Sequence, residues 1–303
     1  MRHRCLVFIL LLTTFRVSAQ GLADIQRQLD SLLNAQEKSE FMVSLSYGNN
    51  PAYGGKKVDV VRPIVLKPFI SPSLSYYHKS GAFASIATYY MFNATQKPLF
   101  ETDLSVGYDY TKNRQLITGI NYTRYIYADS SDMPFTPIQN EMFAYFLYRK
   151  WWLEPGLILD YGWGKRTVKI NRFFNRDITG SDFNMMLDVR HTFIFPELTC
   201  EHDALMIIPI MAITAGTANY YSNLKAGQYL TRSKQIRRYI NRLSDEETIL
   251  DTKFEPRAVD VSLRVSYMYK KLTIAPSYIV FQPLKGDDKS LFGYFSASVN
   301  YTF

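Results

Sequence analysis

Three histidines, His78, His191 and His202, and one cysteine, Cys200, are the side chains beyond residue 19 best suited to nucleophilic, acid–base or metal chemistry. Their spacing assembles no site. The chain carries no G-x-S-x-G elbow and no histidine pair at metal-binding spacing. Cys200, Glu201 and His202 adjoin one another, with His191 upstream, but single histidines in a turn are ordinarily solvated. With no second cysteine beyond residue 19, Cys200 has no partner for an internal disulfide. No catalytic residue, metal ligand or cofactor is assigned, and the chain is not expected to be an enzyme.

A second set of chemically capable residues shows regular spacing. Along one segment Glu101, Asp103 and Asp109 alternate with Phe100, Thr102, Leu104, Val106, Tyr108 and Tyr110 of the opposite, apolar face. Glu154 and Asp160 alternate with Leu157, Leu159, Tyr161 and Trp163. Asp188 and Arg190 alternate with Met185, Leu187 and Val189, and Asp260 and Arg264 with Val261, Leu263, Val265 and Tyr267. Alternation with period two is the signature of a strand with one apolar and one polar face. The nine charged residues therefore share polar faces. They line a path for a small solute, or they pair across an interior, fill it and stiffen its wall.

About twelve such segments follow one another. Weaker ones occupy 41–48, 67–78, 81–92, 115–127, 141–149 and 204–216, and Leu272–Val280 and Leu291–Phe303 complete the set. The segment 205–216 is apolar on both faces. Pro209 and its β-branched neighbours favour a strand there over a helix. Connections alternate in length. Those at 78–81, 111–114, 149–152, 195–203 and 270–271 are short, whereas 49–66, 93–99, 128–140, 164–182, 217–257 and 283–290 are mostly longer.

The ends supply the setting. Residues 1–19 combine Arg2 and Arg4, an apolar run from Cys5 to Leu12 and a small-residue ending at Ala19, the pattern of a secretory signal. The run is too short to span a membrane as a helix, and no later run reaches the roughly 20 residues required. The formal charge of +8 includes Arg2, Arg4 and Arg16; without them 32 Lys and Arg face 27 Asp and Glu. So modest an excess in an exported chain argues against a nucleic-acid partner and suits an anionic membrane surface. Residues 20–39 contain Ile25, Leu29, Leu32 and Leu33 at helical spacing behind Asp24 as N-cap. That predicts a short periplasmic helix over 24–38, packed on its own chain or docking a periplasmic partner.

Strand number, the alternation of turns and loops, and the terminal Tyr301-Thr302-Phe303 are similar to those of Gram-negative outer-membrane β-barrel proteins, over residues 40–303. The resemblance implies an all-β, transmembrane, antiparallel up-and-down barrel of about twelve strands in the outer membrane, with both ends of the barrel segment on the periplasmic side. It also implies that Tyr301 and Phe303 form part of the signal read by the barrel-assembly machinery. Tyr and Trp residues near strand ends, such as Tyr89, Tyr125, Tyr127, Trp151, Trp163 and Tyr269, then suit the membrane interfaces. Lys165, Arg166, Arg237, Arg238 and Arg242 fall in two basic external connections, placed to meet the phosphates of lipopolysaccharide. The expected function is a non-enzymatic pore or transporter with a narrow polar lumen. The alternatives are a structural or assembly barrel with a filled lumen, and a lipid-modifying enzyme dependent on His78 or His191.

Overall fold

The structure, a computed structural model, describes residues 39–49, 51–53, 64–66, 68–92, 94, 97–110, 113, 115–128, 138–169, 175–217, 254–284 and 291–303. The expected signal, the expected helix over 24–38, and Arg237, Arg238 and Arg242 lie outside the described residues.

Among the described residues the strands are β1 (Glu40–Gly48), β2 (Pro51–Tyr53), β3 (Ile64–Leu66), β4 (Phe69–Tyr77), β5 (Ala82–Met91), β6 (Leu99–Tyr110), β7 (Leu116–Tyr127) and β8 (Asn140–Tyr148). They continue as β9 (Glu154–Lys169), β10 (Asn175–Arg190), β11 (Phe193–Pro196), β12 (Asp203–Gly216), β13 (Glu255–Tyr269), β14 (Leu272–Pro283) and β15 (Phe292–Thr302). Strands β2 and β3 form a separate small hairpin. The others make one antiparallel ring. Each pairs with its sequence neighbour, β10 also pairs with β12, and β1 bonds both β4 and β15. Counting β10 with its continuation β11, twelve staves close on themselves. Closure satisfies every edge that an open sheet would leave unpaired.

Local chemistry accounts for the staves. The break between β10 and β11 sits opposite Pro209, which has no N–H to give the ladder. Pro209 thus lies in a strand, as its surroundings predict, and costs its neighbour two residues of pairing. The 78–81 turn needs its glycine. Gly81 has φ of 98°, and a Cβ there would lie 2.2 Å from the Asp109 carbonyl oxygen. The seam is sealed by Phe303 N–H donating to Phe41 O at 2.8 Å.

All twelve staves turn apolar side chains outward into the open. Leu45, Leu74, Ile86, Val106, Ile120, Met142, Tyr161, Leu187, Met211, Leu263, Tyr278 and Val299 are each exposed, one from every stave in turn. Aromatic pairs cluster at both ends of this belt. At the short-turn end stand Phe41 with Tyr76, Tyr148 with Trp151, and Tyr301 with Phe303, their ring centres 4.8–5.3 Å apart. At the other end Tyr161 stacks with Trp163 at 5.5 Å, and Phe183 lies 5.9 Å from Phe254.

Three expectations need correction. Most of 164–182 is not a loop, because β9 and β10 extend through it as a long hairpin with Lys169 paired to Asn175. Phe100 faces inward, because a bulge opposite Tyr89 and Tyr90 resets the alternation at the start of β6. Tyr89, Tyr125 and Tyr127 are not interfacial. They stand on the inner phase of β5 and β7, where Tyr125 is buried and stacks with Tyr127.

Candidate functional site in the barrel interior

The inner face divides into two chemically distinct sectors. On β1, β4, β5, β14 and β15 serines fill a run of inward positions, interrupted by larger side chains such as Tyr89, Phe281 and Tyr294. Ser46, Ser73, Ser85, Ser277, Ser296 and Ser298 are half-buried, whereas Ser44, Ser71 and Ser75 are buried. Ser277 and Ser296 share a hydrogen bond of 2.7 Å across neighbouring strands. The charged inward positions lie on β6, β8, β9, β10 and β13, whereas β7 presents Gly119, Asn121, Thr123 and Tyr125.

The nine charged residues read from the alternation all occupy inward positions, in separate groups along the wall. Near the long-connection end Glu101 and Asp103 are buried beside Tyr89, whose hydroxyl donates to Asp103. Asp160, 1% exposed, accepts from Asn184 Nδ2 at 2.7 Å. Lower in the ring, Arg190 Nε donates to Asp188 Oδ2 at 2.8 Å. A Cβ on Gly156 would sit 1.9 Å from Asp188 Oδ1, so only glycine leaves room for this carboxylate. Asp260 and Arg264 are half-buried on β13, facing the same region. At the short-turn end Tyr145 OH donates to Asp109 Oδ1 at 2.8 Å, and Arg149 Nε lies 3.6 Å from Glu154.

Four further inward or buried charges escape the sequence reading. Glu141 lies on β8, whose run of Met142 to Tyr148 is apolar on both faces and so carries no phase. Asp182 falls in the segment expected to be a loop, and accepts from Thr217 Oγ1 at 3.2 Å. Arg257 is the extra residue of a bulge between β12 and β13, where Thr214 faces Ala258 but Ala215 faces Pro256. Its guanidinium donates to Gly216 O at 2.9 Å and Thr217 O at 2.8 Å and pairs with Glu255 at 3.0 Å. Asp203 opens β12. It gathers N–H groups of Leu198 at 2.7 Å and Thr199 at 3.0 Å, the Thr199 hydroxyl, and Tyr267 OH at 3.0 Å. The Thr199 hydroxyl above all, against the opposing effect of desolvation, holds the Asp203 carboxyl down to about 2.

The remaining candidates separate. Lys165 projects from the extended hairpin and is bound to Asp177 at 2.7 Å. That contact and Thr167 keep the Asp177 carboxyl below its ordinary range. Arg166 lies on β9. Tyr301 and Phe303 lie at the seam with β1, Tyr301 opposite Val43. His78 Nδ1 meets Ser80 Oγ at 2.8 Å inside its own turn. His191 Nδ1 donates to Trp152 O at 2.6 Å, its ring packed between Trp152 and Phe193. Among the described residues no three His, Cys, Asp or Glu side chains converge as metal ligands.

The inner wall holds the carboxylates Glu101, Asp103, Asp109, Glu141, Glu154, Asp160, Asp182, Asp188 and Asp260 and the guanidinium groups of Arg149, Arg190, Arg257 and Arg264. The described interior is therefore acidic on balance.

No family model matches the chain, and no curated protein matches it. Solved structures do. The NanC porin aligns at TM-score 0.45 and 9% identity over 86% of this chain and 98% of its own. The COG4313 outer membrane channel from Pseudomonas putida F1 aligns at 0.41 and 9% over 88% and 96%. LpxR from Salmonella typhimurium aligns at 0.36 and 8% over 86% and 100%. At these scores the likeness bears on neither solute nor activity. The chain is similar, in its closed antiparallel barrel, to outer-membrane β-barrel proteins.

Proposed function

We propose that this chain is a barrel of the Gram-negative outer membrane and that its interior passes a small solute through a narrow polar lumen. The contrast between the two faces of the same strands carries this reading. Outward, every stave exposes Leu, Ile, Val, Met or Tyr. A belt of that extent far exceeds the few hundred Å² of apolar patch that soluble monomers expose, and lipid tails remove the cost. Inward, half-buried serines line part of the wall. The short turns then face the periplasm and the long connections the exterior.

The lumen is narrowed by Glu101, Asp103, Tyr89 and Tyr125 and, lower down, by Tyr145 over Asp109. Its excess of carboxylates favours cations over anions. Reconstitution in planar bilayers with a potassium chloride gradient tests this. Stepwise conductance with a cation-selective reversal potential is expected; no conductance with the loops intact rejects the pore.

A second reading, a structural barrel with a filled lumen, is favoured by the burial of Ser44, Ser71 and Ser75, small side chains that something must cover. It predicts a silent bilayer and a partner engaged by 24–38 or by the outer loops. Co-purification unchanged after deletion of residues 21–38 counts against the periplasmic partner. We assign no catalysis. His78 is engaged within its turn and His191 is caged by aromatic rings. A lipid profile unaltered by H78A/H191A agrees with this, and an altered one revives the enzyme reading. Contact with lipopolysaccharide falls mainly to Arg237, Arg238 and Arg242, because Lys165 already has Asp177.

A further inference from the structure

Arg124 interrupts the apolar outer face near its long-connection end. Along β7 Ile120, Tyr122 and Ile126 are exposed outward while Thr123 and Tyr125 are buried inward, so the period of two places Arg124 outside. In register it lies between Leu104 on β6 and Asn140 on β8, and Asn140 lies beside Trp163 on β9. The sequence reading did not single it out.

Its guanidinium is held in place but not neutralised. Nη1 donates to Asn140 Oδ1 at 2.7 Å and Nη2 to Gln139 Oε1 at 3.2 Å. Both acceptors are uncharged. Asn140 is itself fixed, because it accepts from Tyr122 OH at 2.7 Å and donates to Trp163 O at 3.2 Å. Among the described residues no carboxylate pairs with Arg124. Lys165, on the outer face of β9 two residues beyond Trp163, differs in having Asp177 at 2.7 Å. Arg124 is therefore an oriented cation whose counter-charge is not supplied by the described wall.

Its depth limits what that counter-charge can be. Arg124 stands eight residues along β7 from Leu116 at the short-turn end. At roughly 2.5 Å of climb per residue of a tilted strand, it lies about 20 Å up an apolar band about 25 Å tall. From there an arginine side chain reaches the headgroup level. Tyr122 and Trp163, with ring centres 6.1 Å apart, mark the same level with the amphipathic rings that suit an interface. Below it Ile120 and Met142 are exposed, a surface for hydrocarbon chains. A guanidinium fork takes phosphate oxygens two at a time. The anions at this depth are lipid phosphates, and with the long connections outward they belong to the outer leaflet.

We propose that Arg124 seats a phosphate of the lipid anchor of lipopolysaccharide against the barrel wall. That anchor carries its phosphates on the sugars that bear its acyl chains, so they sit at the chain boundary that Arg124 reaches. Tyr122 and Trp163 flank the headgroup, and the chains descend over Ile120 and Met142. The inference rests on the membrane placement and makes no use of the lumen.

Native mass spectrometry of the full chain tests it. The protein is released from phosphatidylcholine nanodiscs containing lipid A, lipid A stripped of its phosphates, or phosphatidylglycerol. The parent should retain lipid A about tenfold more tightly than the stripped form, and in preference to phosphatidylglycerol. Arg124→Gln should reduce lipid A retention to that of the stripped form, and Arg124→Lys should restore part of it. Equal retention of the two lipid A forms, or undiminished retention by R124Q, overturns the proposal. Equal retention of phosphatidylglycerol, or displacement of lipid A by inorganic phosphate at matched ionic strength, overturns the glycolipid as the occupant. The comparison of lipids on the unaltered protein does not depend on whether a variant folds. A barrel folded in the bilayer that retains no lipid A overturns the site and leaves the membrane placement and the pore standing. A chain that stays outside the bilayer overturns both.

Discussion

Replacing Leu263 by arginine separates a lipid-facing wall from a water-facing one. Leu263 stands on the outer face of β13 between Pro209 and Tyr278, and is 47% exposed. A strand tilted by about 40° climbs roughly 2.5 Å per residue along the membrane normal, so an apolar band about 25 Å tall takes roughly ten residues. Ten residue steps from Tyr269 at the short-turn rim lead to Val259, and Leu263 falls near the middle. Arginine at the midplane costs about 2–4 kcal/mol, falling to about 0–1 kcal/mol near an interface. Leu263→Arg should therefore destabilise the barrel by about 2–4 kcal/mol and Val259→Arg by about 0–1 kcal/mol. Urea titration of folding into phospholipid vesicles, followed by tryptophan fluorescence and gel-shift, measures both. If instead both variants lie within about 0.5 kcal/mol of the parent, as for ordinary surface changes, the outer face does not contact lipid and the membrane reading fails.

Other consequences are specific to the interior and the turns. Gly156→Ala drives a methyl group into Asp188 Oδ1 and disrupts its pair with Arg190; a loss of about 1–3 kcal/mol is expected, with much less in an Asp188→Ala background, as a double-mutant cycle would show. Asp203 is held below its unfolded range, to about 2, so its contribution is fully present above about pH 4 and disappears as pH falls toward 2. Asp203→Asn should lower the urea midpoint at pH 6, and the difference from the parent should shrink steeply as pH falls from 4 toward 2; a difference independent of pH over that range contradicts the hydrogen-bonded carboxylate. Phe303→Ala removes the outermost ring of the seam while leaving the bond from its N–H to Phe41 O possible, so assembly in cells should slow more than equilibrium stability falls, measurable by pulse-chase and gel-shift.

Much of this architecture is legible in the chain because a strand imposes its period on the sequence locally. Val261, Leu263 and Val265 against Asp260, Ser262 and Arg264 need no tertiary information to be phased, and the structure gives the same two faces. Legibility fails where the period is broken or absent. Bulges reset the phase at Phe100 and Arg257, and nothing local marks them. Glu141 sits in a strand apolar on both faces, so its direction depends on the neighbours that β7 and β9 supply. Tyrosine is ambiguous by nature, since one end is apolar and the other bonds to water. Tyr125 and Tyr127 thus read as interfacial yet pack inside. The union of Asp188, Arg190, Asp260 and Arg264 around one recess spans more than 70 residues of sequence, and the pairing of β10 with β12 and of β12 with β13 brings them together.

The central claim is that successive residues of one stave meet two different solvents. Single cysteines placed in turn at 296–299 of β15, with Cys200 changed to Ser and the chain in bilayers, test it directly. Each is assayed with a charged, water-borne thiol reagent and, through a fluorescent label, with quencher attached to lipid tails. Positions 296 and 298 should react in water and escape the quencher, and 297 and 299 should do the reverse. Uniform reactivity along the four positions, or an alternation of opposite phase, would contradict a barrel with lipid outside and water within.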